Sequence, residues 1–183
     1  WFRNHGEHKV GALETAHVTN AVATAYDLAP ELFRGEEKAT ILAALSEKGL
    51  ALCKRYTEVG NRNNWFCVLL SGYATAAAIL GERGEIENAI TLYNDVCAGL
   101  YDEDGYGETL QYGNYASLTL SHLREVLIRF DPSLAARLPL DPLAHTVKWA
   151  VSSHFYMKPL EDGGKAYPRS ANFGDCAAIF RPT

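Results

Sequence analysis

The sequence predicts an all-α fold built from antiparallel helical hairpins. Three observations carry that expectation: apolar residues recur three and four positions apart from Val18 to Val151, glycine, asparagine and proline break the pattern repeatedly, and most of the breaks are short. Short connections between amphipathic helices make consecutive helices run antiparallel.

The elements follow in order. Val18, Ala21, Val22, Ala25 and Ala29 share one face ahead of Pro30, and Leu42, Leu45, Gly49, Leu52 and Cys53 share another. Trp65, Val68, Leu69, Gly72, Ala76 and Ile79 form a third stripe, ended by Gly81, whose small residues predict close approach of a neighbouring helix. Ile86, Ala89, Ile90, Tyr93, Cys97 and Leu100 make a fourth stripe. Ala116, Leu120, Leu123, Leu127 and Phe130 make a fifth, stopped at Asp131-Pro132. Asp141-Pro142 reads as an N-cap with proline at the first helical position, opening a sixth helix through Val147, Ala150 and Val151. The tail, "PLEDGGKAYPRSANFGDCAAIFRPT", holds Pro159, Pro168 and Pro182 with three glycines, and no helix fits there; "CAAIF" has the composition of a first strand.

A chain of 183 residues with 48% hydrophobic and 21% charged content supports one sizeable core and one domain. The formal net charge of -5 supplies no basic field for nucleic acid or an anionic membrane, so neither is an expected partner. No apolar run reaches the roughly 18 to 20 residues of a membrane span; even Trp65 to Leu80 is interrupted by Ser71, Gly72 and Thr75. Cys53, Cys67, Cys97 and Cys176 lack the spacing of a metal or redox site and read as small buried hydrophobes, a disulfide staying open for an exported protein. The sequence opens on Trp1 without a basic and apolar leader, so localisation is left unknown.

Two connections hold candidate chemistry. "GNRNNWFC" places Asn61, Asn63 and Asn64 before the third helix, where one asparagine suffices as a cap and a second can donate to a carboxylate at the positive end of the helix dipole. "DGYGETLQYGNYASL", Asp104 to Leu118, crowds Tyr106, Tyr112 and Tyr115 among glycines. One reading is a tight turn with tyrosines packed at a helix end; the other is a close-approach loop offering sugar-stacking faces and phenolic proton carriers.

"NRNNWFCVLLSGYATAAAIL" followed by "DEDGYGETLQYGNYASLTLSHL" resembles the helical toroid of the heparinase II/III-like polysaccharide lyases, which include heparin-type and alginate-type enzymes. "ETAHVTNAVATAYDLAPELF" is similar to the helix these proteins carry upstream, and "SANFGDCAAIF" to the crossing into their β-sandwich. The resemblance implies an incomplete α/α toroid over residues 1–158, an irregular linker and possible first strand over 159–183, and a C-terminal β-sandwich domain of the same parent protein as a partner. It implies cleavage of an acidic polysaccharide by β-elimination, without a cofactor or metal, and a periplasmic or secreted setting.

Residue by residue, the asparagine before the family's Trp or His carries over to Asn64, which neutralises a uronate carboxylate. The tyrosine leading the family's Tyr-x-x-Tyr carries over to Tyr112 as the base, with Tyr115 as second candidate. Arg62, Asn63, Trp65, Tyr106 and Glu108 are the expected substrate-binding residues. The family's further histidine, and often another tyrosine, come from the β-sandwich; His122 and His154 read as ordinary helix residues and not as substitutes. Two alternatives stand beside this reading: hydrolysis by the carboxylates of Asp104 and Glu108, as in α/α-toroid glycoside hydrolases, and a toroid that binds glycans or packs on a partner without turnover. The acidic run Asp102, Glu103 and Asp104 reads as solvated, not as a cation site.

Overall fold

The structure, a computed structural model, describes residues 11–102, 105–106, 109–152, 154–158 and 167–170, with side chains described for 11–101 and 109–152. The fold is all-α. Seven α-helices are described: α1 (Leu13–Leu28), α2 (Gly35–Ala44), α3 (Ala51–Val59), α4 (Asn64–Leu80), α5 (Arg83–Leu100), α6 (Leu110–Phe130) and α7 (Asp141–Ser152). A π-helical turn, Leu45–Leu50, joins α2 to α3 without a break, and short 3-10 turns cover Pro30–Leu32 and Pro132–Arg137.

The helices lie in two layers. Gly72 meets Ala16, Asn20 bonds to Ser71, and the last turns of α1, α4 and α6 share one cavity, so these three helices run parallel and side by side. The helices between them run back: α3 enters α4 through a four-residue turn, and α5 leaves α4 at Gly81 and Glu82. Ser117 of α6 bonds Thr146 of α7 while Arg124 bonds the Leu138 carbonyl, which places α7 antiparallel to α6. Gly81 takes a left-handed φ of 72° and caps α4, as its position after the third stripe predicts.

The third stripe is wider than expected. Every α4 residue from Phe66 to Ala78 is buried, because α1, α3, α5 and α6 surround it. Such a helix is apolar on all sides and has no polar face to display. The second helix holds its inward row at Leu45, Gly49, Cys53 and Thr57, all buried. A spacing of four drifts off the face of a 3.6-residue helix, and the wider π turn compensates.

Two faces differ from expectation. In α1 the buried row is Thr15, Ala16, Thr19 and Ala23, while Ala21 and Ala25 are exposed and Val18 and Val22 only half-buried. Threonine can take that face because Thr19 Oγ1 donates to the Thr15 carbonyl at 2.7 Å, and Thr15 Oγ1 accepts from the Ala12 N–H at 3.2 Å. In α7 the buried row is Leu143, Thr146 and Ala150, leaving Val147 and Val151 exposed. Asp141 lies inside the first turn, since Leu143 and Ala144 N–H both donate to the Leu140 carbonyl; it is not the cap.

Beyond α7, strands β3 (His154–Lys158) and β4 (Tyr167–Ser170) pair antiparallel, Lys158 opposite Tyr167 and Tyr156 opposite Arg169. The expected boundary after residue 158 falls between the two strands, and "CAAIF" lies outside the described residues. A two-residue pairing, β1 (Tyr101–Asp102) with β2 (Gly105–Tyr106), links α5 to α6.

A polar knot ties three helices together. Lys54 Nζ of α3 sits 2.7 Å from Glu85 Oε1 of α5, Tyr73 of α4 donates its hydroxyl to Glu85 Oε2, and Asn88 donates to the Tyr73 oxygen at 3.0 Å. The Lys54 and Tyr73 donors hold the Glu85 carboxyl below its usual pKa. A depressed carboxyl stabilises the fold above its unfolded pKa and loses that contribution as pH falls through the folded value. Glu85→Gln is therefore expected to cost about 1–2 kcal/mol at neutral pH, with the two proteins converging in acid; urea denaturation across a pH series checks this.

Cys53, Cys67 and Cys97 are buried free thiols. Burial pushes Cys53 up to about 12 and Cys97 up to about 11, so neither is a nucleophile at neutral pH. Cys176 lies outside the described residues.

Candidate functional site

Parallel packing brings the N-terminal ends of α1, α4 and α6 to the same side of the layer. The two connections singled out in the sequence open α4 and α6 there. At α4, Asn63 is the cap: its Oδ1 accepts from the Phe66 N–H at 3.1 Å. Asn64 is the first helical residue, 7% exposed, and among the described residues no hydrogen bond reaches its carboxamide. One asparagine closes the helix, and the next keeps a donor beside the unsatisfied first N–H groups and the positive end of the dipole. Arg62 bends back over this turn, its guanidinium 3.9 Å from the centroid of the Phe66 ring and Nη1 donating to the Thr57 carbonyl at 3.3 Å. Trp65 is half-buried and stacks on Tyr56 at 6.4 Å.

At α6 the helix begins earlier than the glycines imply. Thr109 caps it by accepting from the Tyr112 N–H at 3.2 Å, so Tyr112 and Tyr115 stand on the first two turns and not in a loop. Residues three apart share a helix face. Both rings are half-buried against the core. Tyr115 reaches across to α1, where its hydroxyl lies 2.9 Å from His17 Nε2, with ring centroids 6.3 Å apart. Burial raises the Tyr115 phenol above its usual pKa. His17 is exposed, so the pair faces solvent at one side and the core at the other.

His17 is the member that sequence reasoning overlooked. Its partner is 98 residues away, and no local spacing links them. His122, on the same helix as Tyr115, lies towards the opposite end of the layer, half-buried and away from this pair. Tyr106 contributes backbone to β2, and the side chains of Tyr106 and His154 lie outside the described ones; Asp104 and Glu108 lie outside the described residues altogether.

No family model, curated protein or solved structure matches the chain. Among the described residues no group of three His, Cys, Asp or Glu side chains is placed to hold a metal ion, and no helix is long and apolar enough to cross a membrane.

Proposed function

We propose that the chain is the helical part of a polysaccharide lyase-like protein that cleaves uronate-containing glycans by β-elimination. The observation that carries this reading is the 2.9 Å contact between Tyr115 Oη and His17 Nε2. The parallel row α1, α4, α6 with antiparallel α3, α5 and α7 beside it supports the same reading, since an arc of α/α toroid would alternate its helices in this way.

The chemistry sets three requirements. The C5 proton of a uronate is a poor acid while the adjacent carboxylate keeps its charge, so donors must first neutralise that charge. Asn64, at the positive end of α4, suits that role. A base must then meet C5, and the half-buried phenol of Tyr115, its pKa raised by that burial, holds its own proton too firmly to serve unaided. His17 supplies the acceptor: as the C5 proton moves to Tyr115 Oη, the phenolic proton passes to Nε2. The C5–H electron pair becomes the C4–C5 double bond, the C4–O4 bond breaks, and O4 leaves with a proton returned through the phenol. Tyr115 takes the role of base here because its hydroxyl meets the His17 imidazole. Tyr112, Trp65 and Arg62 are left to shape the sugar subsites.

Incubation of the full-length protein with alginate, heparan sulfate and other uronate polysaccharides tests this directly. Growth of the unsaturated-uronate absorbance is expected, reduced about 10²- to 10³-fold in Asn64→Ala. New reducing ends without that absorbance would mean hydrolysis. Saturable glycan binding with neither product would leave a binding toroid.

A further inference from the structure

Charge at the N-terminal end of the α1, α4, α6 row bears on the class of uronate chain that fits there. That end is bounded by the first turns of α1, α4 and α6, by the last turns of α3, α5 and α7, and by the connections joining them. The last turns of α3, α5 and α7 hold no basic residue. The first turns of the row read Leu-Glu-Thr-Ala, Asn-Trp-Phe-Cys and Leu-Gln-Tyr-Gly, again without one. Arg62, in the connection ahead of α4, is therefore the one lysine or arginine among the described side chains of this end. It stands against two exposed acids, Glu14 and Glu58.

Arg62 is fixed in place but not neutralised. Its guanidinium lies 3.9 Å from the centroid of the Phe66 ring and Nη1 donates to the Thr57 carbonyl, yet it makes no ion pair among the described residues. A guanidinium stacked on a ring keeps its in-plane N–H groups for an oxyanion. Two positions on, Asn64 is buried, and among the described residues no hydrogen bond occupies its carboxamide or its backbone N–H, because Asn63 has taken the capping role. The closed, unpaired polar atoms of the described side chains belong to Asn20 and His122 and not to Asn64, so the Asn64 carboxamide is reachable from outside. Side chains tilt towards the N-terminus of their helix, which brings this carboxamide towards the connection that carries Arg62.

Such a set suits one planar carboxylate. The guanidinium can take both oxygens, and the Asn64 donors and the α4 dipole add to the attraction. Each sulfate added to a uronate unit brings a further negative charge, which here meets Glu14 and Glu58 in place of a second cation.

We propose that Arg62 and Asn64 form a clamp for a single carboxylate, and that the site selects unsulfated uronate chains over sulfated glycosaminoglycans. The inference rests on the lyase reading for the uronate itself, and its test reads binding apart from turnover, so the two fail separately.

Two backbone-matched pairs of oligosaccharides provide the test: heparosan beside heparin, and alginate beside chemically sulfated alginate. Each is titrated calorimetrically into the full-length protein carrying Tyr115→Phe. The unsulfated member is expected to bind at least about tenfold tighter than its sulfated counterpart. Adding Arg62→Gln is expected to weaken that binding about tenfold, and Arg62→Lys to recover only part of the loss, because an ammonium lacks the planar fork. Arg129→Gln, at the opposite end of α6, is expected to change it less than about twofold. Equal or tighter binding of the sulfated members, an Arg62→Gln variant that binds unchanged, or no binding in either pair would overturn the proposal. Unsaturated product from sulfated chains alone would overturn it and leave the lyase reading standing. Selective binding of the unsulfated chains, with no product from the wild type, would support it and remove the lyase reading.

Discussion

Tyr115→Phe is expected to slow elimination by about 10³-fold while leaving the protein folded. The substitution keeps the half-buried ring and deletes one hydroxyl whose only partner among the described residues is an exposed imidazole, so its cost in stability is expected to stay near 1 kcal/mol. His17→Ala is expected to lose about 10²-fold, because the phenol then has no acceptor for its proton. Tyr112→Phe, by contrast, is expected to change the rate less than about tenfold. The signs with pH follow from the raised Tyr115 pKa: across neutral pH the phenol stays protonated and depends on His17, and as pH rises towards its pKa it ionises unaided. The deficit of His17→Ala should therefore shrink in alkaline solution, while that of Tyr115→Phe should not. Initial rates of unsaturated product formation for the three variants across a pH series decide the matter. A rate that collapses in Tyr112→Phe and survives in Tyr115→Phe would move the base back to the residue that the family resemblance favours.

The helices were legible because their ends are chemically marked. Pro30, Gly81 and Asp131-Pro132 stop α1, α4 and α6 where backbone geometry demands, and the α5 stripe is buried as its spacing implies. Faces were misread where threonine does apolar duty. Thr15 and Thr19 in α1, and Thr146 in α7 with its hydroxyl on Ser117, are inward residues whose polarity is cancelled by a hydrogen bond that no periodicity count registers. The start of α6 was hidden for a related reason: Gly107 and Gly113 suggest loop, yet Thr109 caps the chain between them and Gly113 lies buried inside the helix. At the candidate site the pair Asn63 and Asn64 was visible as a surplus of asparagine, and the structure divides it into one cap and one carboxamide that no hydrogen bond reaches among the described residues. The contact between His17 and Tyr115 was not legible at all, since it depends on the parallel alignment of α1 and α6.

That alignment rests on Gly72, and Gly72→Ala is expected to destabilise the protein by about 2 kcal/mol although the same change in an isolated helix would stabilise it by about 1. A Cβ at this position would lie 2.9 Å from Ala16 Cα, 3.0 Å from Ala16 Cβ and 3.0 Å from Cys53 Sγ. The first of these is backbone and cannot rotate away. The strain must push α1 or α3 off the central helix, opening a seam along residues that are otherwise fully buried. Gly49 offers a milder case, because its nearest neighbour is Thr19 Cγ2 at 2.9 Å, the end of a side chain. Gly84 has nothing within 4 Å, so Gly84→Ala is expected to be neutral or stabilising by a few tenths of a kcal/mol. Chemical denaturation of the two alanine variants beside the wild type measures the contrast, and equal stabilities would mean that α1 is not held against α4 at this distance. Gly72→Ala carries a functional consequence as well. Because α1 carries His17 while Tyr115 is fixed on α6, displacing α1 lengthens the 2.9 Å contact, so the variant should lose elimination activity at temperatures where it is still folded.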